Sequence, residues 1–196
     1  MGLYNFVRSV ASVLFKMLYR VKVHGDKNVL VDSRMIICSN HIHYFDPVLV
    51  AVIFKNSQVH YIAKKELFKH KILGSFIEKL GTFPVDRDGA DLSAIKRALK
   101  ILKSDKVLGI FPEGKRVVKG EKIEAKPGVA MIAVKSKSPV VPVYIDTSYK
   151  LFSEINVYLG QPMELHNNQK GKLSIEEYKS ISDDILKKIY SLKSNG

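Results

Sequence analysis

The sequence predicts an α/β fold in which layers of helices cover a central sheet. Short apolar runs of strand length alternate with segments of helical periodicity, and a chain of 196 residues is long enough to bury a core of its own. An apolar N-terminal segment further predicts an amphipathic helix at a membrane interface. We therefore expect a membrane-interface helix over residues 1–22 and a folded domain over residues 23–196.

The N-terminal segment from Leu3 to Val23 combines a wide apolar face with a narrow polar one. At about 100° per residue, its polar residues share roughly one third of the circumference of a helix. These residues are Asn5, Arg8, Ser9, Ser12, Lys16 and Arg20. Such a basic stripe is typical of a helix lying in a membrane interface, and its charges disfavour a spanning helix. The alternative is an ordinary helix packed on the domain core.

The elements of the domain follow from apolar runs and from apolar residues at helical spacing. Predicted strands cover residues 34–39, 59–63, 82–85, 107–111, 140–145 and 155–159. Predicted helices cover residues 46–54, 65–80, 90–102, 128–135 and 175–189. Asp46 and Pro47 favour a helix start, Gly81 a helix end, and Pro84 a strand at an edge or with an irregular end.

The composition limits the partners of the chain. A formal net charge of +13 predicts an anionic partner, which is nucleic acid, an anionic membrane or an anionic substrate. The single cysteine, Cys38, cannot form an intrachain disulfide and suits a reducing compartment. Because Cys38 lies in an apolar run, we expect a buried side chain rather than a reactive thiol.

A loop with two candidate catalytic residues precedes the helix that begins at Asp46. His41 can accept a proton near neutral pH, and a carboxylate bonded to its other ring nitrogen would fix the tautomer. Asp46 lies five residues after His41 and can turn back to it across the loop. Two alternatives stay open at this point. In the first, Asp46 is only a helix cap and His41 is only a loop histidine. In the second, both residues bind a metal ion together with His43.

Three further segments carry candidate binding residues. Residues 109–116 nearly match a phosphate-binding loop, but Arg116 replaces its Ser or Thr and Glu113 opposes phosphate, so nucleotide binding is rejected. Arg87 follows a predicted strand, where its guanidinium could bind a phosphate or pair with a nearby acid. Gly128 begins a predicted helix whose N–H groups could face an anion.

Four segments, in this order, resemble the motifs of the 1-acylglycerol-3-phosphate acyltransferase (glycerolipid acyltransferase) family. They are His41 with Asp46, residues 81–87, residues 111–114 with Arg116, and residues 140–143 with Pro142. Any one of these motifs is weak, whereas four in order after a membrane-type N-terminus are specific together. Lys115 and Val117 depart from the Thr and Ser that are usual there, which leaves the head-group preference open.

The resemblance implies a mixed sheet flanked by helices and an acyltransferase catalytic domain over residues 23–196. It implies acyl transfer from acyl-CoA or acyl carrier protein to the free hydroxyl of 1-acylglycerol 3-phosphate, which makes phosphatidic acid without a cofactor or a metal. His41 is then the general base and Asp46 its orienting partner. The residues implied for the acyl acceptor are Arg87, Glu113, Gly114 and Arg116.

Membrane lipid and the acyl donor are the expected partners, with peripheral or monotopic association at the cytoplasmic face of a membrane. Glycerol 3-phosphate or another lysophospholipid is the alternative acceptor. A basic nucleic-acid-binding protein would also explain the charge. The sequence lacks a basic cluster interleaved with aromatic residues, so we expect no nucleic-acid partner.

Overall fold

The computed structural model describes residues 2–30, 33–86, 91–118, 123–165 and 173–195. The strands are β1 Arg20–Gly25, β2 Met35–Ser39, β3 Val59–Lys64, β4 Phe83–Val85, β5 Val107–Ile110, β6 Val140–Thr147 and β7 Glu154–Leu159. The α-helices are α1 Gly2–Leu18, α2 Asp46–Ile53, α3 Lys71–Lys79, α4 Leu92–Lys103, α5 Gly128–Ser136 and α6 Ile175–Ser191. Short 3-10 helices cover Lys27–Val29, Lys65–Phe68 and Leu192–Asn195.

Within the described residues, the strands form one mixed sheet with the order β1-β7-β6-β2-β5-β3-β4. The pairs from β6 to β4 are parallel, β7 is antiparallel to β6, and β1 is parallel to β7. The mixed sheet confirms the predicted α/β class, and β4 lies at an edge as Pro84 indicated. Strands β2, β3 and β5 end at the same edge, which we call the carboxyl edge.

Strand β2 lies in the middle of the sheet and is buried on both faces. Met35 and Ile37 belong to the core that α1 and α2 cover, whereas Ile36 and Cys38 belong to the core beneath α4, α5 and α6. Neighbouring side chains along a strand point to opposite faces of the sheet, so a strand of apolar residues indicates that both faces of the sheet are covered. Cys38 is fully buried as expected, and burial raises the pKa of its thiol.

The N-terminal helix is shorter than predicted. It ends at Leu18 rather than at residue 22, and the chain continues as β1, a strand that the sequence analysis did not predict. Strand β1 forms because its backbone pairs with β7, whose residues lie far along the chain. The strand therefore crosses the boundary that was predicted between residues 22 and 23.

Helix α1 is both packed and exposed. Tyr4 and Phe15 are buried, and the Tyr4 hydroxyl accepts a hydrogen bond of 3.0 Å from the Val59 N–H, so one side of the helix belongs to the domain. Its exposed apolar side chains are Leu3, Phe6, Val10, Val13, Leu14 and Met17. No helix in the described part of the chain has the length and apolar character needed to cross a bilayer.

The helix predicted over residues 65–80 is divided in two. A 3-10 helix covers Lys65–Phe68, and α3 begins only at Lys71 after an extended His70. Gly74 allows α3 to pack closely on the 3-10 helix after the break, because a Cβ there would lie 2.8 Å from the Phe68 Cα. Gly81, at a φ of +94°, follows the end of α3 as predicted.

Candidate active site

The loop after β2 is tied to β6 by the side chain of Asn40. This buried amide donates a hydrogen bond of 3.0 Å to the Ile145 carbonyl and accepts one of 2.7 Å from the Ile145 N–H. These two hydrogen bonds take the place of backbone pairing between β2 and β6 at the point where β2 ends. It therefore holds the next residue, His41, at the carboxyl edge.

His41 and Asp46 are in contact, as the sequence predicted. The His41 Nδ1 lies 2.9 Å from the Asp46 Oδ2, so the ring donates to the carboxylate through Nδ1 and Nε2 is the nitrogen that can accept a proton. The ring stacks on Phe111, with 4.2 Å between centroids. The His41 side chain is 16% exposed, which leaves the imidazole within reach of a substrate.

The carboxylate of Asp46 is fully buried and surrounded by donors. Its Oδ2 also accepts hydrogen bonds of 2.7 Å from the backbone N–H groups of Ile42 and His43, and its Oδ1 accepts one of 2.7 Å from the Tyr149 hydroxyl. Asp46 does not cap α2, whose N-cap is Phe45 with no side-chain hydrogen bond. The helix-cap interpretation is therefore wrong, because the carboxylate turns back into the loop.

Tyr149 is a site residue that the sequence analysis missed. It follows β6, 103 residues after Asp46, and its backbone has a φ of +52°. Its ring stacks on His43 with 4.5 Å between centroids, and burial raises the pKa of its hydroxyl, which keeps that group a donor. Only the tertiary fold brings this loop to Asp46, and no local pattern in the sequence marks it.

The segment after β5, residues 111–118, forms the wall beside His41. The Val117 N–H donates a hydrogen bond of 2.8 Å to the His41 carbonyl, which joins the two loops. Gly114 has a φ of +66°, a conformation in which Gly is favoured, and a Cβ there would lie 3.1 Å from the Lys126 Cγ.

Glu113 points into the domain and not towards the surface. Its Oε1 accepts a hydrogen bond of 3.2 Å from the Tyr190 hydroxyl of α6, and the residue is only 3% exposed. Burial raises the pKa of the Glu113 carboxyl to about 7, although hydrogen bonds from backbone groups and from Tyr190 oppose this rise. The predicted contact between this side chain and the acceptor stays a prediction.

Of the two arginines predicted to bind the acyl acceptor, Arg116 lies within the described residues. Arg116 is exposed, and its guanidinium carbon lies 3.5 Å from the ring centroid of Tyr44, which belongs to the His41 loop. The guanidinium therefore contacts the loop that carries the candidate catalytic pair. Arg87 lies outside the described residues, so its predicted role stays a prediction.

The chain is similar to known acyltransferases in sequence and in fold. A 1-acyl-sn-glycerol-3-phosphate acyltransferase of Bacillus subtilis is 38% identical over 140 residues, 71% of this chain and 69% of the relative. One from Streptococcus pneumoniae is 36% identical over 71% of this chain and 53% of the relative. The crystal structure of the acyltransferase PlsC from Thermotoga maritima matches 97% of this chain and 79% of that one, at 26% identity and a TM-score of 0.73.

A family model described as Acyltransferase matches residues 20–146. This range includes the His41 loop, the segment after β5, and all of β6 except Thr147. The match covers more than half of the chain, and the sequence relatives and the solved fold agree with it. The protein therefore belongs to the acyltransferase family of enzymes.

Proposed function

We propose that the protein transfers an acyl group from acyl-CoA or acyl carrier protein to the free hydroxyl of 1-acylglycerol 3-phosphate, forming phosphatidic acid. The names of its relatives support this acceptor. The observation that carries the proposal is the 2.9 Å contact between His41 Nδ1 and the buried Asp46 carboxylate. This contact prepares the opposite ring nitrogen to act as a general base.

In the proposed mechanism, the His41 Nε2 takes the proton of the acceptor hydroxyl as its oxygen attacks the thioester carbonyl carbon. Asp46 stabilises the resulting imidazolium through Nδ1. When the tetrahedral intermediate collapses, the C–S bond breaks, and His41 returns its proton to the departing thiolate. The products are the new ester and the free thiol, and positioned proton transfer of this kind contributes about 10²–10⁴-fold to the rate.

For the acceptor phosphate, we propose Arg87 and Arg116 as the cationic groups. Arg116 is supported by its exposed position beside the His41 loop. Gly114 shapes the backbone two residues before Arg116, and Glu113 contributes by anchoring this segment to α6 through Tyr190. A guanidinium suits this task because its donors match the oxygens of a phosphate.

We further propose that α1 holds the protein at the cytoplasmic face of a membrane. Its exposed apolar side chains, together with the net charge of +13, support contact with anionic lipid. The end of α1 lies beside the candidate active site, since Phe15 packs on Phe45 with 6.3 Å between ring centroids. This arrangement would bring a bilayer-embedded acceptor to His41.

The substitution His41→Ala tests the mechanism. We expect thioester consumption with lysophosphatidic acid to fall by at least about 10²-fold, because the general base is lost. A panel with glycerol 3-phosphate and other lysolipids identifies the preferred acceptor. Circular dichroism checks that the fold is retained.

His24→Gln is the matched control. His24 lies on β1, which β7 and β6 separate from β2, and its ring bonds to Asn156. We expect near wild-type activity from this variant. Near wild-type activity in His41→Ala would instead reject the proposed base.

A further inference from the structure

A second apolar surface is exposed on the 3-10 helix before α3 and on α3 itself. It consists of Leu67, Ile72, Leu73 and Phe76, and we call it the α3 patch. Ile72 is the most exposed of these residues, at 90%. Gly74 is buried against the 3-10 helix, so residues two positions before and after it point away from that helix at about 100° per residue. The exposure of Ile72 and Phe76 therefore follows from how α3 packs.

The charges around the α3 patch are basic. Lys69, His70 and Lys71 are exposed between its apolar residues. The two acids of this segment face other cations: Glu66 lies 3.6 Å from the Lys64 ammonium, and Glu78 lies 3.7 Å from the Arg97 guanidinium. Apolar side chains flanked by cations complement an anionic bilayer, whose head groups attract Lys while its acyl chains receive Ile and Phe.

The α3 patch lies on the same edge of the sheet as the candidate active site. Strands β2, β3 and β5 are parallel, His41 follows β2, and the 3-10 helix Lys65–Phe68 follows β3 directly. The end of α1 reaches this edge from the other side, where the Leu18 carbonyl accepts a 2.7 Å hydrogen bond from the Phe152 N–H. In the strand order, β2 lies between β1, which follows α1, and β3, which precedes the 3-10 helix.

We propose that the α3 patch is a second membrane-contacting surface, which inserts Ile72 and Phe76 into an anionic bilayer. This inference rests on the proposed membrane association of α1 and adds a contact across the active site from the end of that helix. The end of α1 and the α3 patch lie on either side of β2 in the strand order, and two separated contacts define the tilt of the protein on the lipid. That tilt keeps the carboxyl edge, with His41, against the bilayer from which the acceptor comes.

The chain has no tryptophan, so one introduced residue can report on this surface. Ile72→Trp in the full chain should shift its emission to the blue with phosphatidylglycerol vesicles, and lipids with brominated chains should quench it. The matched control is Ile175→Trp on α6, which is 67% exposed but followed by Glu176 and Glu177. We expect no change in its emission.

The outcomes separate this inference from the proposed function. If Ile72→Trp sediments with vesicles but keeps its aqueous emission, the α3 contact is rejected while membrane association stands. If the protein does not sediment at all, both fail, and acyl transfer in detergent still tests the chemistry. As a second measure, Lys69→Gln with Lys71→Gln should weaken binding to phosphatidylglycerol vesicles roughly tenfold or more. Unchanged binding would contradict the charge argument.

Discussion

The buried carboxylate of Asp46 organises the candidate active site at the scale of single residues. A charge removed from water needs several donors, and Asp46 has four, from two backbone N–H groups, His41 and Tyr149. The donors from Ile42 and His43 also fix the loop backbone. The carboxylate therefore sets the position of the imidazole as well as its tautomer.

Tyr149 is a positioning residue, because it acts through Asp46, and Tyr149→Phe removes only its hydroxyl. We expect kcat to fall roughly tenfold or more, because a hydrogen bond to a charged group contributes about 1.5–3 kcal/mol. The KM for the acceptor should stay unchanged. Steady-state kinetics with lysophosphatidic acid measures both constants.

Tyr158→Phe serves as the control, since its ring stacks on His24 away from the loop. An unchanged kcat in Tyr149→Phe would show that the other three donors suffice. A raised KM with an unchanged kcat would instead point to direct contact with the acceptor.

At the scale of secondary structure, α6 anchors the segment after β5. The Tyr190 hydroxyl bonds to Glu113, and the ring of Tyr190 packs on Tyr144 of β6 with 5.4 Å between centroids. This contact connects the C-terminal helix to the wall of the candidate site. It also places a carboxyl where burial favours its neutral form.

The pH dependence of stability tests this contact. The pKa of Glu113 is raised in the folded protein to about 7 from an ordinary 4.5, so the unfolded chain releases this proton first as the pH rises. The contribution of Glu113 is full below pH 4.5 and is lost as the pH rises through 7. As the pH rises from 4 to 8, the free energy of unfolding of Glu113→Gln should therefore increase by about 3 kcal/mol relative to that of the wild type.

Urea denaturation at each pH gives the free energies of unfolding. The exposed Glu78→Gln is the control, and its difference from wild type should not change with pH in this way. A constant difference between Glu113→Gln and wild type would show that Glu113 ionises normally in the folded protein.

At the scale of the whole molecule, α1 combines a buried side with the exposed side that we propose contacts the membrane, and a deletion would remove both. Its buried Tyr4 and Phe15 support the domain, whereas Phe6 is 67% exposed. We expect Phe6→Gln to weaken vesicle binding roughly tenfold or more while the domain stays folded, because insertion of an aromatic ring contributes about 1.5–3 kcal/mol. Ile175→Gln, with an equal exposure of 67%, is the control in the same sedimentation assay. Equal binding of Phe6→Gln and wild type would argue against the α1 contact.

Family membership shows that the protein is an enzyme, which the net charge alone could not show. A net charge of +13 suits nucleic acid and anionic lipid alike, because charge specifies only the sign of a partner. The acyltransferase family makes the protein an enzyme. The acyl donor and the roles of individual residues remain proposals.

The sequence by itself determined the α/β class, the central strands, and the loop that carries His41 and Asp46. Burial and turn chemistry are local properties that periodicity, Gly81 and Pro84 report directly. The tertiary structure alone decided that α1 stops at Leu18, since β1 exists only through its pairing with β7. It alone brought Tyr149 to Asp46 and buried Glu113 beneath α6. These features depend on partners distant along the chain, which local periodicity does not encode.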